Sequence, residues 1–235
     1  MGQYDLDKGE LIMSFSRTLK DKSITVWEDG YNHPFLHEMG KGTLDQEAFK
    51  FYLLQDYTYL IEYAKIFAMG AVKATDEKLM TNFTDVQHAI LYEEMDLHRN
   101  YMNEFGITLD EHHTVKPSLF NKAYTSNMMS VAQTGGVAEI IAVIFPCAWT
   151  YYDYATRLKE QYGDSLEGNF YQTWIENYAS DEFRDSFEWF YDTLDALCEH
   201  KTEQELEAIE DIFRRSVEFE YLFWDMAYKR KLSYF

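Results

Sequence analysis

Proline is nearly absent from this chain, with three residues in 235, and cysteine is rarer still, with two. The prolines and eleven glycines are spread along the whole length, so no loop-rich stretch serves as a linker and residues 1–235 read as one domain. Cys147 and Cys198 are too few for a disulfide framework, and neither stands in a CxxC or Cys/His spacing for zinc. Positive charge is scarce as well. The 21 Lys and Arg face 41 Asp and Glu, and the net charge of −20 repels a phosphate backbone, which argues against a nucleic-acid partner. No run of about 18 uncharged apolar residues occurs that would span a membrane. Met1 to Met13 lack the basic start and apolar stretch of a secretory signal. A cytoplasmic protein is expected, with residues 1–13 as an N-terminal extension.

Sustained period-two alternation is missing, while apolar residues recur at three and four nearly everywhere, so the expected class is all-α. The spacing predicts a first helix over Phe15 to Trp27 and a short one with Pro34 in its first turn, ended by Gly40 and Gly42. Asp45 is the expected N-cap of a long helix to about Thr75, whose stripe reads Phe49, Leu53, Asp56, Leu60, Tyr63, Phe67. A further helix runs from Asp76 to Phe105. Another opens at Pro117 and Ser118 and stops at Gly135 and Gly136. Val137 to Trp149 is apolar nearly all round, which marks the centre of a bundle, and Pro146 inside it predicts a kink just before Cys147. A short aromatic helix carries Tyr171, Trp174 and Tyr178. A helix after Ser180 is lined by Phe183, Phe187, Phe190, Leu194 and Leu197, and Thr202 with Glu205 forms a capping box before the last long helix. Its stripe reads Leu206, Ile209, Phe213, Ser216, Glu220, Phe223, Ala227. About eight or nine helices in a compact bundle result.

Asp56 and Glu220 interrupt apolar stripes, and a buried carboxylate costs several kcal/mol unless paired or protonated. Two readings follow: each caps a loop or pairs with an Arg or Lys inside the bundle, or both line one polar pocket as acid-base groups. Tyr59 shares a helix face with Asp56, and Tyr151 shares one with Cys147. Such tyrosines are ordinary core residues or the walls of a pocket for a flat heteroaromatic ligand. Cys147 is either inert core or a nucleophile with an acid-base partner, whereas Cys198 has no polar companion and reads as core. Glu94 and His98, four apart, suggest half of a di-metal site, but no second copy follows, so they are expected to bond to each other and carry no metal. Gly-rich phosphate loops, GxSxG and HExxH are all lacking.

The segments FYLLQDYTYL (51–60), YEEMDLHR (92–99), AYTSNM (123–128), AEIIAVIFPCAWTYYDYA (138–155), WIENYASDEF (174–183) and FEYLFWDMAY (219–228) occur in this order. In them the chain resembles the TenA, or thiaminase II, family, and the Pro-Cys followed by paired tyrosines is similar to the branch that keeps its active-site cysteine. The resemblance runs from about residue 15 to 230. It implies a heme-oxygenase-like helical fold, a homotetramer, no metal or cofactor, and an aminopyrimidine aminohydrolase that releases hydroxymethylpyrimidine for thiamin salvage. It makes Cys147 the nucleophile, Glu220 the acid-base residue at a ring nitrogen, and Tyr124 and Tyr151 their assistants. Asp56 then grips the aminopyrimidine edge, and Tyr59 and Tyr178 shape the ring pocket. Ala148 and Thr150 stand where members often carry larger side chains, which implies a wider pocket beside Cys147. Two other readings remain open: a metal-dependent oxidase on the same bundle, and a non-catalytic sensor of thiamin-related ligands.

Overall fold

The computed structural model describes residues 14–107 and 115–233, and within them every regular element is helical. The expected extension over residues 1–13 lies outside the described residues. Helix α1 (Phe15–Lys22) and α2 (Ile24–Tyr31) form where one helix was expected. Ser23 leaves helical geometry between them, at φ −106° and ψ 10°. The start of α1 is capped from far along the chain: the Asp195 carboxylate accepts from the Ser16 backbone N–H at 2.7 Å and from its hydroxyl at 2.9 Å. Helix α3 (Pro34–Gly40) follows, with proline at its first position, where a missing N–H costs nothing.

Asp45 caps the 28-residue α4 (Gln46–Lys73) as the sequence suggested, accepting from the Glu47 N–H at 3.0 Å. The next expected helix divides into α5 (Glu77–Ala89), a π-helical turn (Ile90–Glu94) and α6 (Met95–Glu104), which stops at Gly106 with φ +68°. In the π turn the Met95 N–H reaches the carbonyl of Ile90, five residues back. This wider turn inserts one residue and re-aims the side chains that follow. Ser118 caps α7 (Leu119–Thr134).

Helix α8 (Val137–Tyr162) passes beyond the apolar run and through Pro146 without ending. Its later half buries one stripe only, Thr150, Tyr151, Tyr154, Ala155 and Leu158. Helices α9 (Gln172–Tyr178), α10 (Asp181–Phe187) and α11 (Trp189–Cys198) are short, and Cys198 is buried at the end of α11. The capping box at Thr202 and Glu205 opens α12 (Glu203–Lys229).

Helix α8 lies at the centre, packed most extensively on α12 and also on α4, α7, α9 and α11. Large rings fill the space between them, with Trp27, Trp174 and Trp224 fully buried among Phe35, Phe49 and Tyr52. Each such ring removes about 150–250 Å² from water, so the bundle is held chiefly by aromatic burial. No helix among the described residues is long and apolar enough to cross a membrane.

Candidate active site

Five helices and the π turn aim polar groups at one region of this core. On α4, Tyr52, Asp56, Tyr59 and Tyr63 follow the three-and-four spacing of one helix face and are all buried. Helix α8 contributes Cys147 and, one turn on, Tyr151; α7 contributes Tyr124, α12 Glu220, and α9 Tyr178.

Glu220 is 3% exposed, and its Oε1 accepts from the Tyr124 hydroxyl at 2.6 Å. The Cys147 thiol also acts on it, drawing its pKa down. Burial drives its carboxyl up to about 8, the charge of Asp56 adds to the rise, and the bond from Tyr124 and the Cys147 thiol restrain it. The Tyr124 ring is clamped between Phe219, stacked at 4.9 Å, and Tyr59 at 5.2 Å. The Tyr59 hydroxyl donates to the Met128 sulfur at 3.8 Å and also acts on the Cys147 thiol, drawing its pKa down.

Cys147 has no cation beside it. Burial, then the charges of Glu220 and Glu94, push its thiol well above the ordinary range, so it rests protonated. Any nucleophilic use of this sulfur therefore begins with removal of its proton, and Glu220 is the carboxyl whose charge acts on it most.

Asp56 takes neither of the partners the sequence suggested, an Arg or a Lys. Its Oδ2 accepts from Tyr52 at 2.9 Å and faces the Nε2 of the fully buried His98 at 2.6 Å. Burial alone would lower the His98 pKa, but the hydrogen bond and charge of Asp56, with Glu94 behind them, outweigh it and raise it. Tyr52 receives Trp174 Nε1 at 3.2 Å and lies 3.3 Å from the Tyr151 hydroxyl, so Asp56 and Tyr151 belong to one network. Among the described residues no hydrogen bond reaches Oδ1 of Asp56.

Glu94 and His98 do bond to each other, but through the Glu94 backbone and not its carboxyl. His98 Nδ1 lies 2.9 Å from the Glu94 backbone carbonyl, while the Glu94 carboxyl turns the other way and accepts from Tyr178 at 2.7 Å. The π turn separates the two directions. Burial, followed by the charge of Asp56, raises Glu94 to about 7, against the opposing pull of His98 and Tyr178.

A cavity of about 130 Å³ opens onto this cluster, lined by Tyr63, Ile90, Glu94, Cys147, Ala148 and Tyr151 among others. Of the seven residues proposed from sequence, Cys147 and Tyr151 line it; Tyr178 bonds to lining residue Glu94 and Asp56 reaches Tyr151 through Tyr52, while Tyr59, Tyr124 and Glu220 lie outside the lining. Ala148 faces the cavity as the resemblance implied, but Thr150 is turned away, with its hydroxyl 3.4 Å from the Cys147 carbonyl. Sequence reasoning missed Tyr52, the bond of His98 to Asp56 and that of the Glu94 carboxyl to Tyr178. Tyr52, four residues before Asp56, had a usable signal in that spacing.

These features define a class: an all-helical bundle enclosing a small polar pocket with a thiol, three carboxyls and a ring of tyrosines. Residues 21–230 match the model of the TENA/THI-4/PQQC family. The chain is 41% identical over 220 residues to an aminopyrimidine aminohydrolase of Halalkalibacterium halodurans, covering 94% of this chain and 98% of that one. It is also 41% identical over 217 residues to one from Helicobacter pylori, covering 92% and 100%. Among solved structures, a TenA homologue from P. horikoshii superposes with a TM-score of 0.82 at 27% identity over 93% of this chain and 100% of that one. A domain of unknown function with a heme oxygenase-like fold from Shewanella denitrificans reaches 0.72 at 17% identity over 91% and 92%, which speaks to fold alone. The chain belongs to the TENA/THI-4/PQQC family, and its fold is heme-oxygenase-like.

Proposed function

We propose that this protein is a thiamin-salvage hydrolase, an aminopyrimidine aminohydrolase that exchanges the substituent on the exocyclic methylene of an aminopyrimidine for hydroxyl. It converts 4-amino-5-aminomethyl-2-methylpyrimidine to hydroxymethylpyrimidine and ammonia, and thiamin to hydroxymethylpyrimidine and the thiazole. The names of relatives at 41% identity over nearly the whole chain support the substrate class. The observation that carries the chemistry is the buried neighbourhood of the Cys147 thiol, which lines the cavity, and the Glu220 carboxyl, whose charge acts on that thiol more than any other.

Glu220 relays the thiol proton to a ring nitrogen as the sulfur adds to an electron-poor ring carbon, so no outside acid is needed and no free thiolate accumulates. The ring becomes an enamine, which expels the side-chain leaving group. Water takes the vacated methylene, the proton returns through Glu220 to sulfur, and the carbon–sulfur bond breaks. Tyr124 holds Glu220 in line, Tyr151 borders the sulfur, and Tyr59 and Tyr178 shape the pocket. Asp56, its Oδ2 held by Tyr52 and His98, offers Oδ1 to the amino-pyrimidine edge. The reading extends to one helical domain, a cytoplasmic location and a homotetramer.

Incubation with each substrate, with hydroxymethylpyrimidine followed by chromatography, tests this. Turnover by the native protein should fall by at least about a hundredfold in Cys147→Ser and in Glu220→Gln, with pyrimidine binding retained. A serine variant with unimpaired turnover removes Cys147 from the chemistry. The metal-dependent oxidase draws no support from the geometry: Glu94 and His98 diverge instead of converging as metal ligands, and no group of three His, Cys, Asp or Glu among the described residues is arranged to hold a metal ion.

A further inference from the structure

Glu94 has no part in the steps above, although it shares their cavity. It enters between α5 and α6 on the π turn, while Cys147 enters on α8, so the two line one space from different elements. Tyr178 fixes Oε1 at 2.7 Å, and His98 anchors the backbone from the other side. Among the described residues no hydrogen bond reaches Oε2. The lining also includes Glu93 and Glu182 but neither Lys, Arg nor His, so nothing within the cavity neutralises Glu94. Such a wall favours a cationic group and disfavours an anionic one.

We infer that Glu94 is the carboxylate that holds the ammonium of an aminomethyl substrate beside Cys147 and then takes the proton of the attacking water. The inference rests on the aminopyrimidine reading. The substrate nitrogen enters as ammonium, paired with Glu94. When the ring enamine forms, its electron pair breaks the carbon–nitrogen bond and the nitrogen departs as ammonia. The oxygen of water then bonds to the exocyclic methylene, its proton passes to Glu94, and that proton leaves with ammonia as ammonium. Charge and atoms balance without an outside reactant. The groups facing Glu94 are Asp56 and Tyr63 of α4, His98 of α6, Cys147 of α8 and Tyr178 of α9. Of these only His98 brings positive charge, and its imidazole is already engaged by Asp56.

The test compares two ligands that differ at one group, the aminomethyl and hydroxymethyl pyrimidines, binding to Cys147→Ser so that neither turns over. Adding Glu94→Gln should weaken the aminomethyl ligand by about tenfold or more and the hydroxymethyl ligand by less than about threefold. Glu94→Asp, which keeps the charge, should recover part of the ratio. An unchanged ratio in both Glu94 variants, whether both ligands bind well or both bind weakly, overturns the inference. Absence of turnover by the native protein on either aminopyrimidine would instead sink the functional reading beneath it.

Discussion

The acid-base character of the site comes from burial applied to single residues. Glu220 is raised to about 8 and Glu94 to about 7, so at neutral pH the first is largely protonated and the second divided between its two forms. In the unfolded chain both ionise near the ordinary carboxyl value. The folded protein therefore holds more protons than the unfolded one between about 4.5 and 8. Its stability is greatest at the acid end of that window and is lost as pH rises through the folded values. Glu220→Gln keeps the shape of the side chain and removes the ionisation. Thermal melts should show the variant close to native near pH 4.5 and progressively more stable than native toward pH 8, by an amount on the order of a few kcal/mol. A constant difference across the range would mean that the carboxyl is not displaced. On the proposed mechanism stability and turnover make opposite demands on one atom pair, since the group that weakens the fold is the one proposed to relay the proton.

Close helix packing depends on what is left out of the side chains. Gly70 on α4 lies against the ring of Phe83 on α5, and a Cβ there would overlap that ring. Phe83 is fully buried and has no room to retreat. Gly70→Ala should therefore cost about 1–3 kcal/mol in urea unfolding, despite its better helix propensity. Most of the framework at this scale was legible in the sequence. Asp45, Ser118 and Thr202 mark helix starts because a side-chain oxygen in those positions satisfies an orphan N–H, a purely local effect. Asp56 and Glu220 stood out because a carboxylate on a buried stripe has few explanations. The breaks at Ser23 and Glu188 and the π turn at Ile90–Glu94 were not legible. A shift of hydrogen-bond register by one residue leaves composition and periodicity almost unchanged. That same shift misdirected the reading of the Glu94 carboxyl: regular spacing brings it to His98, and the wider turn carries it to Tyr178 instead. Tyr52 was passed over because tyrosine on an apolar stripe is common and only its hydroxyl partners distinguish it.

For the whole molecule, the net charge of −20 is both a barrier and an attractant. It repels polyanions, and Glu93 and Glu182 extend the negative field to the lining of the cavity. Cationic substrates should arrive faster than neutral ones of the same size. Raising salt from about 0.01 to 0.15 M shortens the screening length from about 30 to 8 Å, so kcat/KM for thiamin should fall severalfold with kcat little changed. Equal kcat/KM at both salt levels would show that the field does not reach incoming substrate. The long link between Ser16 and Asp195 has a consequence in time. Helix α1 leaves the ribosome early, but its cap lies 179 residues further on and requires roughly ten seconds or more of synthesis at about 5–20 residues per second. Through that interval the apolar side of Phe15–Lys22 has no final place to dock, so the nascent chain depends on its own net negative charge, or on a holding partner, to keep from sticking to its neighbours on the polysome.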